Sequence, residues 1–189
     1  MQSDTNDLHA IQRLKGGDIR GLELLIACHQ KKAIRTAFLV THDEPMAEDV
    51  VQDVFVHFFE HANSFDEARP FEPYFMRSVV NAAINTIQRE KKGKQPREED
   101  DVSELDANLE QAASIDEQME SAQLNCQILE ALARLPPRQR AVIVQRYYLE
   151  MSEKEMAEVL EAPVGTVKWL LNSARNRLRS LLTSKRMSE

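Results

Sequence analysis

One stretch decides the fold of this chain: Ser152-Glu153-Lys154-Glu155-Met156-Ala157-Glu158-Val159-Leu160-Glu161-Ala162-Pro163-Val164-Gly165-Thr166-Val167-Lys168. Ser152 followed by Glu155 is a capping-box pattern, which predicts a helix that begins there and ends before Glu161. A second helix is predicted to start at Pro163 or Val164. Its apolar residues advance in alternating steps of three and four and so share one buried stripe: Val164, Val167, Leu171, Ala174, Leu178 and Leu181. The pattern predicts a helix-turn-helix that binds DNA.

The other side of this second helix is basic. Residues 163 to 187 hold six basic side chains and no acid, although the whole chain carries a net charge of -7. Such a local charge suits a phosphate backbone, whereas the alternative is a solvated basic tail on a helical bundle. Because the start of a recognition helix reaches base edges, the candidate duplex contacts are Arg138, Val164, Gly165, Thr166, Lys168, Trp169, Asn172 and Arg175.

Trp169 falls on the side of the helix opposite the buried stripe. A large aromatic ring is costly to leave in water, so we expect it to contact another molecule or domain. The sequence leaves two partners open: a thymine methyl or DNA backbone, and a protein surface.

The composition indicates an all-α protein. The chain has 189 residues, is 42% hydrophobic and 29% charged, has 5 glycines, and shows no hairpin or strand-helix-strand pattern. Cys28 and Cys126 are far apart, so we expect them to be buried free thiols in a reducing cytosol. No signal peptide or bilayer-spanning run is recognisable, so the expected location is cytoplasmic.

The middle of the chain divides it into two small helical domains. We predict an N-terminal domain at residues 8–92, an acidic flexible linker at 93–123 and a C-terminal domain at 124–184. Residues 1–90 hold 9 basic and 14 acidic side chains, residues 91–135 hold 5 and 11, and residues 136–189 hold 10 and 6. The acid is therefore concentrated away from the predicted reading helix.

A strongly amphipathic helix is predicted around residues 46–60. Ala47, Val51, Val54, Phe55 and Phe58 form its buried side, while Asp49, Asp53, Val56 and Glu60 share the opposite stripe. An exposed valine between carboxylates indicates a docking surface, and a merely solvated acidic face is the alternative. The stripe predicts no metal site, because no second helix supplies histidines or acids at matching spacing.

The next helix, residues 71–89, differs in kind. It carries Tyr74, Arg77, Asn81, Asn85, Gln88 and Arg89, and aromatic, amide and basic side chains are those that bind single-stranded nucleic acid. The preceding loop, residues 61–70, has the composition of a pocket for an extruded base. We expect Phe71 and Phe75 in the core, and the sequence leaves Tyr74 open between core and base platform.

With both domains laid out, the chain resembles an RNA polymerase sigma factor of the extracytoplasmic-function (ECF) group, over residues 20 to 183. Residues 47–55 are similar to the family's polymerase-docking helix, residues 71–89 to its minus-ten promoter segment, and residues 135–182 to its minus-thirty-five module. The chain departs from the usual pattern where Tyr74, Val80 and Asn85 replace tryptophan, arginine and aspartate. Leu170 and Ser173 likewise stand at usual basic positions.

The resemblance implies a transcription initiation factor with a role in stress response. Contacts with the clamp of the large polymerase subunit are implied for Glu48, Asp49, Gln52, Asp53 and Val56. Capture of unpaired minus-ten bases is implied for Asn63, Ser64, Phe65, Arg69, Tyr74, Arg77, Asn81, Asn85 and Arg89. The implied partners are core RNA polymerase, through its clamp and flap, promoter DNA and an anti-sigma factor, with no cofactor, small-molecule substrate or membrane insertion.

Two other classes of function were weighed. A stand-alone regulator would bind duplex DNA as a dimer and use the N-terminal domain as a sensor or dimer interface. An enzyme is disfavoured because there is no glycine-rich phosphate loop, metal cluster or nucleophile-base arrangement. The five histidines, His9, His29, His42, His57 and His61, share no motif.

Overall fold

A computed structural model describes residues 2–93 and 115–186. Within those ranges the chain forms eight α-helices, one short 3-10 turn at Ala62–Ser64, and no strand, which confirms the all-α prediction. The helices are α1 (Gln2–Lys15), α2 (Arg20–Thr41), α3 (Glu44–His61), α4 (Phe71–Gly93), α5 (Ile115–Ala133), α6 (Pro137–Tyr147), α7 (Glu153–Val159) and α8 (Val164–Arg186).

The N-terminal domain is built around α2, which packs against α1, α3 and α4. Its centre is aromatic: the rings of Phe55 and Phe75 lie 4.4 Å apart between centroids, and Phe71 stacks on Phe75 at 5.2 Å. Phe71 and Phe75 are both buried, as the sequence predicted. Offset and edge-on aromatic pairs stabilise a core beyond the area that they bury.

The close approach of α1 to α2 depends on Gly21. A Cβ atom at this position would lie 2.2 Å from the carbonyl oxygen of Ala10 and 2.8 Å from the nitrogen of Leu14. No other residue type leaves room for that contact. The turn between the two helices uses Gly17 at φ 85°, in the left-handed region that glycine adopts without strain.

The C-terminal domain packs α8 against α5, α6 and α7. Val167, Leu171 and Ala174 of the predicted apolar stripe are buried, while Val164, Leu178 and Leu181 are half-buried. Pro136 and Pro137 separate α5 from α6, with Pro137 at the first position of α6, where its missing N–H costs nothing.

The predicted boundaries of the linker need one correction. The helix α5 begins at Ile115, so residues 115–123 are helical although we assigned them to the linker. The acidic composition of this segment does not oppose a helix, since glutamate, glutamine, methionine and alanine all favour one. The rest of the predicted linker, residues 94–114, lies outside the described residues.

The two domains pack against each other. The helix α6 contacts both α2 and α4, and α7 contacts α4. Arg140 of α6 is buried, which lowers its pKa to about 10. The pKa of His42, which caps the end of α2, is also lowered, first by burial and then by the charge of Arg140. Helix periodicity contains no information on such contacts between domains, so this arrangement does not follow from the sequence pattern.

Both cysteines differ from expectation, since Cys28 and Cys126 are exposed free thiols. The buried stripe of α2 runs through Leu25 and His29, one helical turn apart, and Cys28 lies to the side of that stripe. Free cysteines are commonly buried, which was the basis of the prediction, but the position of Cys28 around the helix places it outside the buried stripe. Among the described residues, no helix is long and apolar enough to span a membrane.

Candidate nucleic-acid interface

The helix α3 presents the predicted acidic stripe. The side chain of Asp43 caps it by accepting a 2.9 Å hydrogen bond from the Met46 backbone N–H, and Pro45 occupies its first turn. The five residues predicted to be buried are buried, together with Val50. On the opposite side all five candidate docking residues are exposed: Glu48, Asp49, Gln52, Asp53 and Val56. Val56 is 49% exposed, so an apolar side chain lies open to water among carboxylates.

The helix α4 brings most of the candidate minus-ten residues to one face. Tyr74, Arg77, Asn81 and Asn85 follow each other at steps of three and four residues. Tyr74, Asn85 and the later Arg89 are exposed, while Arg77 and Asn81 are half-buried. Val80, which departs from the arginine expected from the family resemblance, is fully buried.

Phe65, one of the candidate base contacts, lies in the core. Only 8% of it is exposed, and its ring lies edge-on to the rings of Phe58 at 5.8 Å and Tyr74 at 5.0 Å between centroids. A buried ring cannot stack on a base, so its assignment as a base contact is corrected. The loop residues Asn63, Ser64 and Arg69 are exposed. Tyr74, which is 37% exposed at the edge of this aromatic cluster, is the ring that a base could reach.

The loop before α4 is anchored to α1. Lys15 Nζ donates hydrogen bonds of 2.8 Å to both the Phe65 carbonyl oxygen and Glu67 Oε1, and Gln12 Nε2 donates one of 3.0 Å to Glu67 Oε2. The hydrogen bond from Lys15, followed by that from Gln12, lowers the pKa of Glu67. The exposed loop residues are therefore presented by a fixed backbone.

The helix-turn-helix forms as the sequence predicted. At the start of α7, Ser152 N–H donates to Glu155 Oε2 at 2.9 Å and Glu155 N–H donates to Ser152 Oγ at 3.3 Å, which completes the capping box. The turn passes through Glu161 at φ 47°, and the Pro163 carbonyl accepts from Thr166 N–H at 2.9 Å. The backbone N–H of Thr166, in the first turn of α8, is therefore hydrogen-bonded within the turn.

The outer face of α8 carries the candidate duplex contacts. Gly165, Thr166, Lys168, Trp169, Asn172 and Arg175 are exposed, as is Arg138 on α6, while Val164 is half-buried. Trp169 is 65% exposed, which confirms the phase predicted for it. Lys168 Nζ lies 3.6 Å from Glu153 Oε2, an exposed pair of small energetic value.

Tyr147 was not identified from the sequence, and the structure connects it to this face. Its hydroxyl accepts a 2.7 Å hydrogen bond from Arg175 Nε, and the Arg175 guanidinium lies 5.6 Å from its ring centroid. Tyr147 is 60% exposed, near the end of α6. The sequence shows only an aromatic residue shortly before a basic helix. Its contact with Arg175 depends on the packing of α6 against α8.

Two ion pairs join the candidate minus-ten face of α4 to α7 of the helix-turn-helix. Arg77 Nη2 of α4 lies 2.5 Å from Glu155 Oε1 of α7, and Arg77 Nη1 lies 3.7 Å from Glu158 Oε2. The pKa of Glu155 is lowered, mainly by the Ser152 backbone N–H and hydroxyl, with a smaller contribution from Arg77. In this arrangement α7 occupies the part of the α4 face where Arg77 would meet DNA.

Comparison with known proteins matches two separate parts of the chain. Residues 25–93 match the family model described as Sigma-70 region 2, and residues 127–178 match Sigma-70, region 4. Over 134 residues the chain is 32% identical to the ECF RNA polymerase sigma factor RpoE of Cereibacter sphaeroides, with 70% of each chain covered. It is 26% identical to the ECF sigma factor SigW of Bacillus subtilis over 176 residues, covering 91% of this chain and 94% of that one.

Solved structures agree at the level of the fold. The sigma factor RpoE of Bartonella quintana, solved in complex with the anti-sigma factor NepR, superimposes with a TM-score of 0.66 at 20% identity, covering 85% of this chain and 96% of that one. CnrH, solved in complex with the cytosolic domain of CnrY, gives a TM-score of 0.61 at 24% identity and covers 95% and 98%.

The fold and the two matched regions define a sigma-70 type protein with one domain from each region. The chain belongs to the ECF group of RNA polymerase sigma factors. It is a transcription initiation factor that directs RNA polymerase, and a stand-alone dimeric regulator is not favoured, because the N-terminal half matches region 2 rather than a sensor domain.

Proposed function

We propose that this sigma factor docks on core RNA polymerase through the exposed stripe of α3 and reads a promoter through the exposed faces of α4 and α8. One observation carries the proposal: the acidic docking stripe and the basic reading face are on different domains, and each is exposed on a helix whose other side is core. Separate surfaces allow polymerase and DNA to be bound at the same time.

The stripe of α3 has the chemistry of a protein interface. Asp49, Gln52 and Asp53 offer acceptors for basic side chains of a polymerase clamp, and Val56 adds apolar area between them. Charges at such an interface chiefly set the association rate and orientation, while the apolar contact contributes affinity. Glu48 borders the stripe and extends its negative charge.

Recognition of the minus-ten element would use α4 and the loop before it. Tyr74 offers an aromatic surface at the edge of the core, and Asn81 and Asn85 offer amide groups along the same face. Asn63, Ser64, Arg69, Arg77 and Arg89 would bind the backbone and edges of unpaired bases. Favourable contacts with extruded bases stabilise the melted promoter over the closed one.

Recognition of the minus-thirty-five element would use the start of α8 in the major groove. Thr166, Lys168 and Asn172 reach base edges or phosphates from that position, and Arg138 approaches the backbone from α6. The hydrogen bond from Arg175 to Tyr147 limits the orientations of the guanidinium before DNA arrives. Trp169 would contact a thymine methyl, the DNA backbone or the polymerase flap.

The packing of the two domains against each other would be a closed form of the sigma factor, in which part of the α4 face is covered. Because Arg77 pairs with Glu155 and Glu158 of the other domain, the face of α4 becomes fully available only when α7 moves away. Polymerase and promoter would favour the open form by binding it more tightly than the closed one. The long segment between α4 and α5 supplies the chain needed for the two modules to separate.

The partners and the location of the protein are proposed on the same basis. The chain would act in the cytoplasm, with core polymerase and promoter DNA as its partners and an anti-sigma factor as its regulator. We propose no catalytic step and no small-molecule substrate, because the proposed function consists of binding to polymerase and DNA.

The experiment measures binding of the purified chain to core RNA polymerase of matched origin, followed by sequencing of transcripts started on genomic DNA. The test variant carries Asp49→Asn and Asp53→Asn, which remove charge and leave size and exposure unchanged. We expect weaker association with polymerase and an unchanged melting temperature, because both carboxylates are exposed on the outer side of α3.

The matched control carries Glu23→Gln and Glu161→Gln, two exposed acids on other surfaces with the same total charge. Equal loss in both variants would assign the effect to net charge and refute the docking stripe. Failure of the unmodified chain to bind polymerase or to produce discrete start sites would refute the proposed function as a whole.

A further inference from the structure

Two of the histidines that share no motif in the sequence come together at the end of α3. His57 and His61 are one helical turn apart, and Glu60 lies beside them. The possible ligand atoms of these three exposed side chains all lie within 4.8 Å of one another. We propose that His57, Glu60 and His61 form a binding site for a divalent transition-metal ion, with zinc as the reference ion.

The spacing of the three residues is the first argument. Residues four apart on a helix lie on the same face, about 5–6 Å apart between Cβ atoms, which is the distance at which two imidazoles share one metal ion. The rings of His57 and His61 already face each other, with centroids 4.3 Å apart. Glu60, three residues after His57, brings a carboxylate oxygen to the same group.

The hydrogen bonding of His61 is the second argument. Its Nδ1 lies 2.9 Å from the His57 carbonyl oxygen, and a carbonyl can only accept, so Nδ1 carries the proton. The lone pair is therefore on Nε2, the atom left for a metal. Metal-binding histidines commonly fix their tautomer in this way, by donating the other ring N–H to a carbonyl or carboxylate.

The distances permit coordination without movement of the backbone. With zinc bonds of about 2.0–2.1 Å and tetrahedral angles, two ligand atoms lie about 3.3 Å apart. The ligand atoms lie within 4.8 Å of one another, and rotation of the exposed His57 and Glu60 side chains would close the difference while His61 keeps its hydrogen bond to the His57 carbonyl. Water would complete the coordination, as at open zinc sites.

The donor set also selects the class of ion. Two imidazoles with one carboxylate suit zinc, copper, nickel or cobalt, whereas magnesium and calcium prefer sites made entirely of oxygen. Glu60 lies on the same stripe as Asp53 and Val56, at the end of the proposed docking surface, while His57 and His61 are not among the proposed docking residues. Metal binding can therefore be tested separately from polymerase binding.

The test is a calorimetric titration of the untagged full chain with zinc, and with magnesium as the comparison ion. Because Cys28 and Cys126 are exposed and thiols bind zinc, the titration uses a background with Cys28→Ser and Cys126→Ser. We expect a single zinc equivalent to bind and magnesium not to bind. Changing either His57→Gln or His61→Gln should lower zinc affinity beyond the ~10–100-fold that loss of an outer-shell partner costs.

The matched control is His9→Gln, which removes an exposed histidine on α1 and should leave zinc affinity unchanged. Helical circular dichroism establishes that each variant is folded, which we expect because the altered side chains are exposed. Zinc binding that survives the double change of His57 and His61 would overturn the proposal. Absence of zinc binding in the background chain would overturn it equally.

Discussion

Arg77 and Glu155 form an ion pair of 2.5 Å between the two domains, and this pair joins the face of α4 proposed to bind the minus-ten element to α7 of the helix-turn-helix. Arg77 is a candidate minus-ten contact, and Glu155 completes the cap of the first helix of the helix-turn-helix. The contact between the domains therefore uses a side chain that the proposed open form would need for DNA.

The first prediction concerns this closed form. Glu155→Gln with Glu158→Gln should favour separation of the domains by about two- to fivefold, the range expected for loss of partly exposed ion pairs. Glutamine at position 155 retains the capping box, so α7 should remain folded. Small-angle scattering should show a larger radius of gyration. Glu161→Gln serves as the control, and equal expansion there would contradict the assignment.

The second prediction concerns the contact between α1 and α2. Gly21→Ala should lower the free energy of unfolding by about 1–3 kcal/mol or more, because the new methyl group would overlap the Ala10 carbonyl. Gly165→Ala is the comparison, since a Cβ there meets nothing within 4 Å. Urea denaturation measures both. A Gly21→Ala protein as stable as the parent would show that the two helices can move apart at little cost.

The third prediction concerns Gln145, which is fully buried on α6. Neither its amide oxygen nor its amide nitrogen has a hydrogen-bond partner in the structure. Gln145→Met keeps a similar shape and removes the unpaired polar atoms, so stability should rise by about 1–3 kcal/mol. Thermal melts provide the measurement, with the exposed Gln30→Met as control. Destabilisation would indicate that Gln145 finds partners in solution.

The fourth prediction is a pH dependence. Burial, reinforced by Arg140, lowers the pKa of His42, so the folded protein favours the neutral ring. The unfolded chain takes up the proton near the ordinary value of about 6.5, and the folded chain only at lower pH. Stability is therefore full above that value and decreases as the pH falls through the interval between the two pKa values.

The variant that tests this dependence is His42→Asn, because asparagine tolerates the left-handed backbone at φ 57°. Unfolding free energies measured at several pH values should vary less in this variant than in the parent. His9→Asn, an exposed histidine on α1, should keep the parent's pH profile. An unchanged profile for His42→Asn would assign the effect to another group.

The fifth prediction concerns duplex DNA. Lys168→Gln should weaken binding to a promoter duplex and reduce the slope of log K against log salt by about 0.9, the contribution of one phosphate contact. Its pair with Glu153 is exposed and should add little to this difference. Lys31→Gln, an exposed lysine on α2, should leave the slope unchanged. A slope unaffected by Lys168→Gln would exclude a phosphate contact there.

The sequence was sufficient for local structure. The capping box at Ser152, the buried side of α3 and the exposure of Trp169 all follow from periodicity and capping, which are properties of a single helix. The structure agrees at each of them. The order of the motifs was sufficient for the family as well.

What the sequence did not predict depends on contacts between distant elements. The burial of Phe65, the pairing of Arg77 with Glu155 and the hydrogen bond from Arg175 to Tyr147 each join residues that are far apart along the chain or on different elements. The exposure of Cys28 was missed because composition was used where helix phase was needed. The proximity of His57 and His61 follows from their spacing of four residues on one helix, a signal that the acidic pattern of α3 does not contain.

The anchoring of the minus-ten loop to α1 has a consequence for where this domain begins. The match to the region 2 model starts at residue 25, yet Lys15 holds the loop backbone at Phe65 and Gln12 holds the Glu67 side chain from outside it. A fragment cut at the start of the matched region would keep every proposed base-contacting residue and lose the support that orients several of them. The unit that supports the proposed minus-ten loop therefore begins before residue 25, and its first helix acts as a brace for residues more than forty positions downstream.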